Sequence, residues 1–314
     1  MKINFVSQNP DLNRGSFRIW IHDLCYYLNN IGVDANINYE GKDSDVVIFD
    51  KSFSYVKKID GIKVGYINPV GFKKHNADFI IAGSLEEKDS LLCNDNVFLF
   101  PLIEKMYQNC MLKIHKKTDK IKICFHGSST HLYSFDSNLK NALEELYKSK
   151  NIELVVIQEK SIDDWVQGRP NIPIKFLQWN IKTVLNDIMS CDIGICPNVT
   201  EPMIKPHDVN IPFGLYDTDY LLRFKNKSNA GRAFVFHQLG IPVVADLTPS
   251  NFHILGNPDN GYIAMSQHGW LKSLQELTCE NKRSLISFNA KKEFNRCYNP
   301  NEWAKRLYKS IEKI

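Results

Sequence analysis

The chain has 314 residues, 43% apolar and 24% charged, with 39 lysines and arginines against 35 acids and a formal net charge of +4. That composition excludes a disordered tail, a collagen-like fibre and a small disulfide-stapled scaffold, and the length suits two domains. So mild a positive charge fits a polyanionic small ligand and does not by itself require nucleic acid.

In chain order, short apolar runs bounded by Gly, Pro, Asn or Asp predict strands over residues 3–6, 45–49, 63–67, 79–82 and 97–100. After the first strand a helix is expected from Ser16, because Phe17, Ile21, Leu24 and Leu28 recur at helical spacing and Gly32 supplies a stop. Residues 104–122 are rich in lysine and predict a helix plus linker. A second series of strands follows over 121–125, 152–157, 174–177, 193–196, 242–245 and 261–264. The last segment predicts a capped helix, with Pro300 in the first turn and Trp303, Leu307 and Ile311 as its apolar stripe. Strands alternating with helices imply parallel sheets with right-handed crossovers. The expected domains are therefore 1–118 and 119–298, with 299–314 as a helix crossing back to the first. Open α/β domains bind ligands beyond the carboxyl ends of their strands, so the cleft between the halves is the expected site.

No apolar stretch reaches the 18 or so residues of a membrane span, and the first apolar run is too short for a signal-peptide core. The eight cysteines include no Cys-x-x-Cys, which suggests neither a zinc site nor a disulfide framework. A reducing, cytoplasmic setting is expected.

The stretch with most chemistry is the cationic loop Arg223-Phe224-Lys225-Asn226-Lys227-Ser228-Asn229-Ala230-Gly231-Arg232, followed by a helix, a turn at Gly240 and a buried strand. Free amides at a helix N-terminus favour anions, and lysine and arginine add charge and paired donors, so a diphosphate would be stabilised there. An ordinary basic, solvated loop is the alternative reading.

Lys227-Ser228-x-x-x-Arg232, then Leu239-Gly240-Ile241-Pro242-Val243-Val244-Ala245 and Pro249-Ser250, resemble the donor-binding half of GT-B fold glycosyltransferases. Cys191-Asp192-Ile193-Gly194-Ile195-Cys196-Pro197 is similar to the strand before the donor loop in that superfamily. The run from Ile121 to Ser129, with His126-Gly127-Ser128, resembles its first strand and phosphate-facing turn, and Asn13-Arg14-Gly15-Ser16 its glycine loop. The resemblance implies two Rossmann-like domains with parallel sheets facing across a cleft. It also implies sugar transfer from a nucleotide-sugar donor to a carbohydrate or lipid-linked acceptor, for example in polysaccharide biosynthesis. Gly15, Ser16, His126, Gly127, Ser128, Arg223, Lys227, Ser228, Asn229 and Arg232 would then contact the donor, and no cofactor or metal is required. Counting back from Gly240, the Glu-x7-Glu pair of many retaining members falls on Lys227 and Val235 and is absent; Glu201 is the candidate for its first acid.

For the acceptor base, two candidates stand beside Lys227 in the catalytic set. Asp50 ends a predicted strand, and His22 precedes Asp23 on the first helix, where neighbours point about 100° apart. Arg18 reads either as an anion contact or as a helix-surface arginine. Asp217-Thr218-Asp219 spells a metal-binding triplet but falls in a long loop, where a solvated turn or mobile acceptor loop is favoured. The lysine-rich segment, with Met106, Tyr107, Met111 and Ile114, reads as a polar linker face or as a peripheral contact with the inner face of a membrane. A same-fold enzyme acting on nucleic acid and a non-catalytic sugar-nucleotide binder remain alternatives, the former disfavoured by the small net charge.

Overall fold

Every strand expected from an apolar run is present, each within one residue of its expected ends. The computed structural model describes residues 1–69, 74–198 and 229–314. They divide into two compact units, Met1–Met106 with Arg296–Ile314, and Tyr107–Asn295.

The first unit runs β1 (Lys2–Val6), α1 (Gly15–Phe17), α2 (Leu24–Asn30), β2 (Asp34–Ile37), β3 (Val46–Phe49), β4 (Lys63–Ile67), β5 (Phe79–Ala82), α3 (Leu85–Ser90) and β6 (Val97–Leu99). Its six strands lie in the order β2-β1-β3-β4-β5-β6, and every pairing is parallel. Strand β2 was not expected. It pairs with β1 alone, with Ala35 opposite Ile3 and Ile37 opposite Phe5. The helix expected from Ser16 forms, but a π-helical stretch, Arg18–Asp23, separates α1 from α2. Gly32, at φ +86°, follows its end. Only a left-handed residue turns the chain back so tightly, which suits glycine.

The second unit comprises β7 (Ile121–His126), α4 (Ser137–Ser149), β8 (Ile152–Gln158), β9 (Ile174–Gln178), α5 (Val184–Met189), β10 (Ile193–Cys196), α6 (Gly231–Leu239), β11 (Val243–Asp246), α7 (Pro249–Leu255), β12 (Tyr262–Ala264), α8 (Gln267–Glu276) and most of α9 (Glu280–Cys297). Its sheet is again parallel, in the order β12-β11-β10-β7-β8-β9. Ile123, Phe125, Leu154, Val156, Ile193 and Val244 from the strands pack with Leu143 of α4 and Trp270 and Leu274 of α8.

The expected helix in the lysine-rich stretch is reduced to one 3₁₀ turn, Lys105–Tyr107; the chain is irregular from there to β7. Tertiary bonds win over local spacing here. The Lys113 amide donates to the Leu239 carbonyl at 2.9 Å, and its ammonium to the Met189 carbonyl at 2.9 Å. His115 is buried. Its Nδ1 faces the Arg283 Nε donor at 3.3 Å and must accept, so Nε2 carries the proton and donates to the Gly240 carbonyl at 2.9 Å.

The final helix, α10 (Pro300–Glu312), belongs with the first unit. The Asn299 side chain accepts from the amides of Asn301 and Glu302, capping it, and Pro300 costs nothing at a position whose amide has no partner within the helix. Ala304, Leu307 and Ile311 are buried in the core that holds Ile3, Phe5, Leu24, Leu28 and Ile48. Trp303 packs only at its edge, donating its indole N–H to the Cys297 carbonyl at 2.9 Å. Leu307→Ala should cost about 2–5 kcal/mol in urea unfolding, the range for an aliphatic core truncation. A loss under about 0.5 kcal/mol would contradict this packing.

Two buried histidines make the second unit acid-sensitive. Burial holds His115 below the ordinary histidine range and pulls His237 down to about 4, against a hydrogen bond to the Asn260 backbone. The folded state keeps both neutral, whereas the unfolded chain takes up protons below about pH 6.5. Their contribution is complete above that value and shrinks as pH falls, that of His237 being lost towards about pH 4. From pH 7.5 to 5, His237 alone should cost about 2 kcal/mol. Unfolding curves at both pH values should show His237→Phe losing less stability than the natural chain by about that amount. Equal losses would contradict the neutral, buried histidine.

Candidate functional site

In a parallel sheet, the place where successive strands start to be laid down in the opposite direction leaves a gap beyond their carboxyl ends. In the first unit this point lies between β1 and β3, and in the second between β7 and β10.

At the second point, β7 ends in Phe125-His126 and turns at Gly127, whose φ is +144°. Strand β10 ends at Cys196 and runs on into Pro197-Asn198. Helix α6 brings Arg232 to the same spot. One guanidinium nitrogen, Nη2, donates to the Pro197 carbonyl at 2.8 Å and to Asn198 Oδ1, and the guanidinium lies 5.4 Å from the Phe125 ring centroid. A Cβ on Gly127 would sit 3.5 Å from Arg232 Cδ, so the arginine runs directly beneath the turn after β7. Asp246, at the end of β11, accepts from the Asn198 amide at 2.8 Å and fixes that residue.

These bonds leave donors over. Arg232 Nη1 and the Nδ2 of the buried Asn198 are both enclosed and have no hydrogen-bond partner among the described residues. Helix α6 has no side chain capping it from its N-cap residue, Ala230. Asn229 contributes one acceptor nearby, its Oδ1 taking the Gly231 amide at 3.0 Å. Burial draws the Arg232 guanidinium below its usual value, opposed by Cys196 and Asp246. A desolvated cation with an N–H that has no partner among the described residues, beside the start of α6, is suited to hold an anion.

The other expected residues of this unit divide. His126 is buried edge-to-face against Phe236, ring centroids 5.0 Å apart, in a packing position. The Gly127 amide donates to the Ile157 carbonyl at 3.1 Å and so continues the sheet. Ser128 is exposed and precedes the 3₁₀ turn Ser129–Ser134, its Oγ accepting from Thr130 Oγ1 at 3.2 Å. Glu201, Asp217, Asp219, Arg223, Lys227 and Ser228 lie outside the described residues.

In the first unit, Asp50 follows β3 at the switch point and is buried. Its carboxylate accepts from Ser7 Oγ at 2.6 Å, from the Ser52 amide at 2.9 Å and from Ser52 Oγ. It therefore ties the ends of β1 and β3 together. His22 and Asp23, expected to diverge, instead meet within the π-helical stretch: His22 Nδ1 lies 2.9 Å from Asp23 Oδ1, the two side chains turning towards each other. Asp23 is buried and its other oxygen takes the Lys105 amide at 2.9 Å; burial raises its pKa, against the His22 bond. His22 remains partly exposed.

Arg18 is not a surface arginine. It is buried, with Nε and Nη2 donating to Glu104 Oε2 at 3.2 and 2.9 Å and Nη1 donating to the Leu12 carbonyl at 2.8 Å. It thereby anchors the loop leading to Gly15 and Ser16. A Cβ on Gly15 would meet only ordinary contacts, 3.8 Å from Ile19 and 3.9 Å from Arg18, so the fold itself does not demand glycine there.

Sequence reasoning missed Ser7, Glu104 and the site role of Asn198. Asn198 carried only the signal of directly following the recognised Cys191–Pro197 run.

No family model matches the chain, and no curated protein does. Solved structures do. Anabaena HepE, in complex with UDP and glucose, aligns over all of both chains at 10% identity with a TM-score of 0.66. WaaG, a glycosyltransferase involved in lipopolysaccharide biosynthesis, covers 97% of this chain and 98% of its own at 10% identity and a TM-score of 0.58. AviGT4, a glycosyltransferase involved in avilamycin A biosynthesis, covers 99% and 97% at 13% identity and a TM-score of 0.60. The chain thus has the two-domain α/β fold known as GT-B, which it shares with these proteins.

Proposed function

We propose that this protein is a glycosyltransferase that moves a sugar from a nucleotide donor to a carbohydrate or lipid-linked glycan acceptor, working at the inner face of a membrane. The second unit holds the donor and the first serves the acceptor. The observation that carries the reading is the pair of enclosed donors, Arg232 Nη1 and Asn198 Nδ2, that have no partner among the described residues at the switch point between β7 and β10. HepE was solved with UDP, which makes UDP the first nucleotide to try.

As the sugar leaves, negative charge grows on the terminal phosphate oxygen of the nucleoside diphosphate. Donors already fixed in a desolvated site stabilise that charge without having to reorganise. Arg232 and Asn198 fill this role, with Arg223, Lys227 and Ser228 adding to the hold on the same diphosphate and no metal taking part. Gly127 and Ser128 border the donor, and Glu201 contacts its sugar. For the acceptor, His22 is better suited as base than Asp50. The Asp50 carboxylate is occupied by two serines, whereas His22 is partly exposed and buttressed by Asp23, which fixes the proton on Nδ1 and leaves Nε2 to accept.

A thermal-shift screen of nucleotides and sugar nucleotides in EDTA tests this reading. A nucleoside diphosphate at 100 times its Kd should add about 2.7 kcal/mol of stability. Stabilisation by none of them, or only when a divalent metal is supplied, would overturn it.

A further inference from the structure

The lysine-rich stretch between Tyr107 and β7 carries a second feature. His115 and Lys113 point inward, and this pulls their neighbours out: Met111 is 87% exposed and Ile114 79%. The stretch lies along α9. His115 Nε2 is 3.0 Å from Ser287 Oγ, and Arg283 Nη2 donates to the Lys116 carbonyl at 2.9 Å. On that part of α9, Leu285 and Phe288 are 54% and 62% exposed. Four large apolar side chains thus stand in water on adjoining segments of one unit. Exposed apolar groups gathered in this way are uncommon unless something covers them.

The surrounding charge identifies the cover. Lys116, Lys117 and Lys120 are exposed beside Ile114, and Lys292 is exposed one turn beyond Phe288 on α9, with Lys282 half-buried nearby. Asp119 is the exposed acid on these segments and Glu280 and Glu293 are half-buried, so the cations still outnumber the acids. Apolar side chains ringed by lysines suit the boundary of an anionic bilayer, where the chains enter the acyl region and the ammonium groups meet lipid phosphates. Another protein would have to supply both an apolar face and an acidic rim.

We infer that Met111, Ile114, Leu285 and Phe288, with Lys116, Lys117 and Lys292, form a surface that docks this protein on an anionic lipid membrane. This deepens the membrane part of the reading above. Its test uses lipid alone, so its outcome is separate from that of donor binding.

The test is co-sedimentation of the full chain with vesicles of 30% phosphatidylglycerol in phosphatidylcholine, against phosphatidylcholine alone. Binding should require the anionic lipid and weaken in 0.5 M NaCl. Each juxtaposed lysine contributes about fivefold, so Lys116→Gln/Lys117→Gln should weaken binding about 30-fold. Met111→Ser/Phe288→Ser should weaken it about tenfold or more, while thermal melts and nucleotide binding stay unchanged. Equal binding to both vesicle types would overturn the inference, as would full binding by both double variants. So would a dimer in sedimentation velocity that Phe288→Ser abolishes while vesicle binding persists.

Discussion

Arg232→Met will lower kcat/KM for sugar transfer by about 10²–10³-fold, the loss seen when one fixed donor to a developing oxyanion is removed. The substitution has two consequences that separate measurements resolve. It strips a cation and its Nη1 donor from the switch point, and it leaves the Pro197 carbonyl and Asn198 Oδ1 without the Nη2 donor. The second should cost about 1–3 kcal/mol of stability, visible in a melt and too little to unfold a protein of ordinary stability. Arg232→Lys keeps the charge but loses the fork that reaches Pro197 and a phosphate at once, so its activity should fall between the two. A folded Arg232→Met with near-natural kcat/KM would remove Arg232 from the chemistry.

Glu104→Ala should destabilise the protein by about 3–5 kcal/mol in urea unfolding. Burial pushes the Glu104 carboxyl up and Arg18 pulls it back, with the buried Asp23 close enough to raise Glu104 and to be held down by Arg18. Removing the carboxylate takes from the buried Arg18 guanidinium the acceptor of its Nε and Nη2 bonds. Arg18→Met should cost a similar amount and also free the Leu12 carbonyl that anchors the loop before Gly15. Replacing both together, as Arg18→Met/Glu104→Leu, should recover most of the stability, because an apolar pair of similar volume carries no desolvation cost. Additive losses in that double variant would mean the two residues act independently.

Such residues also mark where the sequence was legible. Strands β3, β7, β8 and β10 are buried apolar runs, and a run of that kind between turn residues has few other ways to fold. Strand β2, Asp-Ala-Asn-Ile, offers no such run; it sits at an edge, half-exposed, and exists because β1 pairs with it. In the lysine-rich stretch, Met111 and Ile114 mimic a helical stripe, yet both face out, because backbone and side-chain bonds to Met189, Leu239 and Gly240 set the path. The helix–glycine–strand sequence around Arg232 was readable, since Gly240 must adopt its left-handed φ of +69° to end α6. Its partners were not. Asn198 is 34 residues away and Glu104 lies 86 residues from Arg18, and only the crossovers bring such pairs together. The pairing of His22 with Asp23 was hidden for another reason: neighbouring side chains on a helix meet only through their rotamers, which composition does not set.

The most direct measurement is isothermal titration of a nucleoside and its diphosphate, uridine and UDP first, in EDTA with the natural chain and with Arg232→Met. Two charge-assisted hydrogen bonds to the diphosphate predict that UDP binds the natural chain about 100-fold more tightly than uridine, and that this advantage shrinks at least about tenfold in the variant. Equal affinity of the natural chain for nucleoside and diphosphate, or an advantage undiminished without Arg232, would contradict the account.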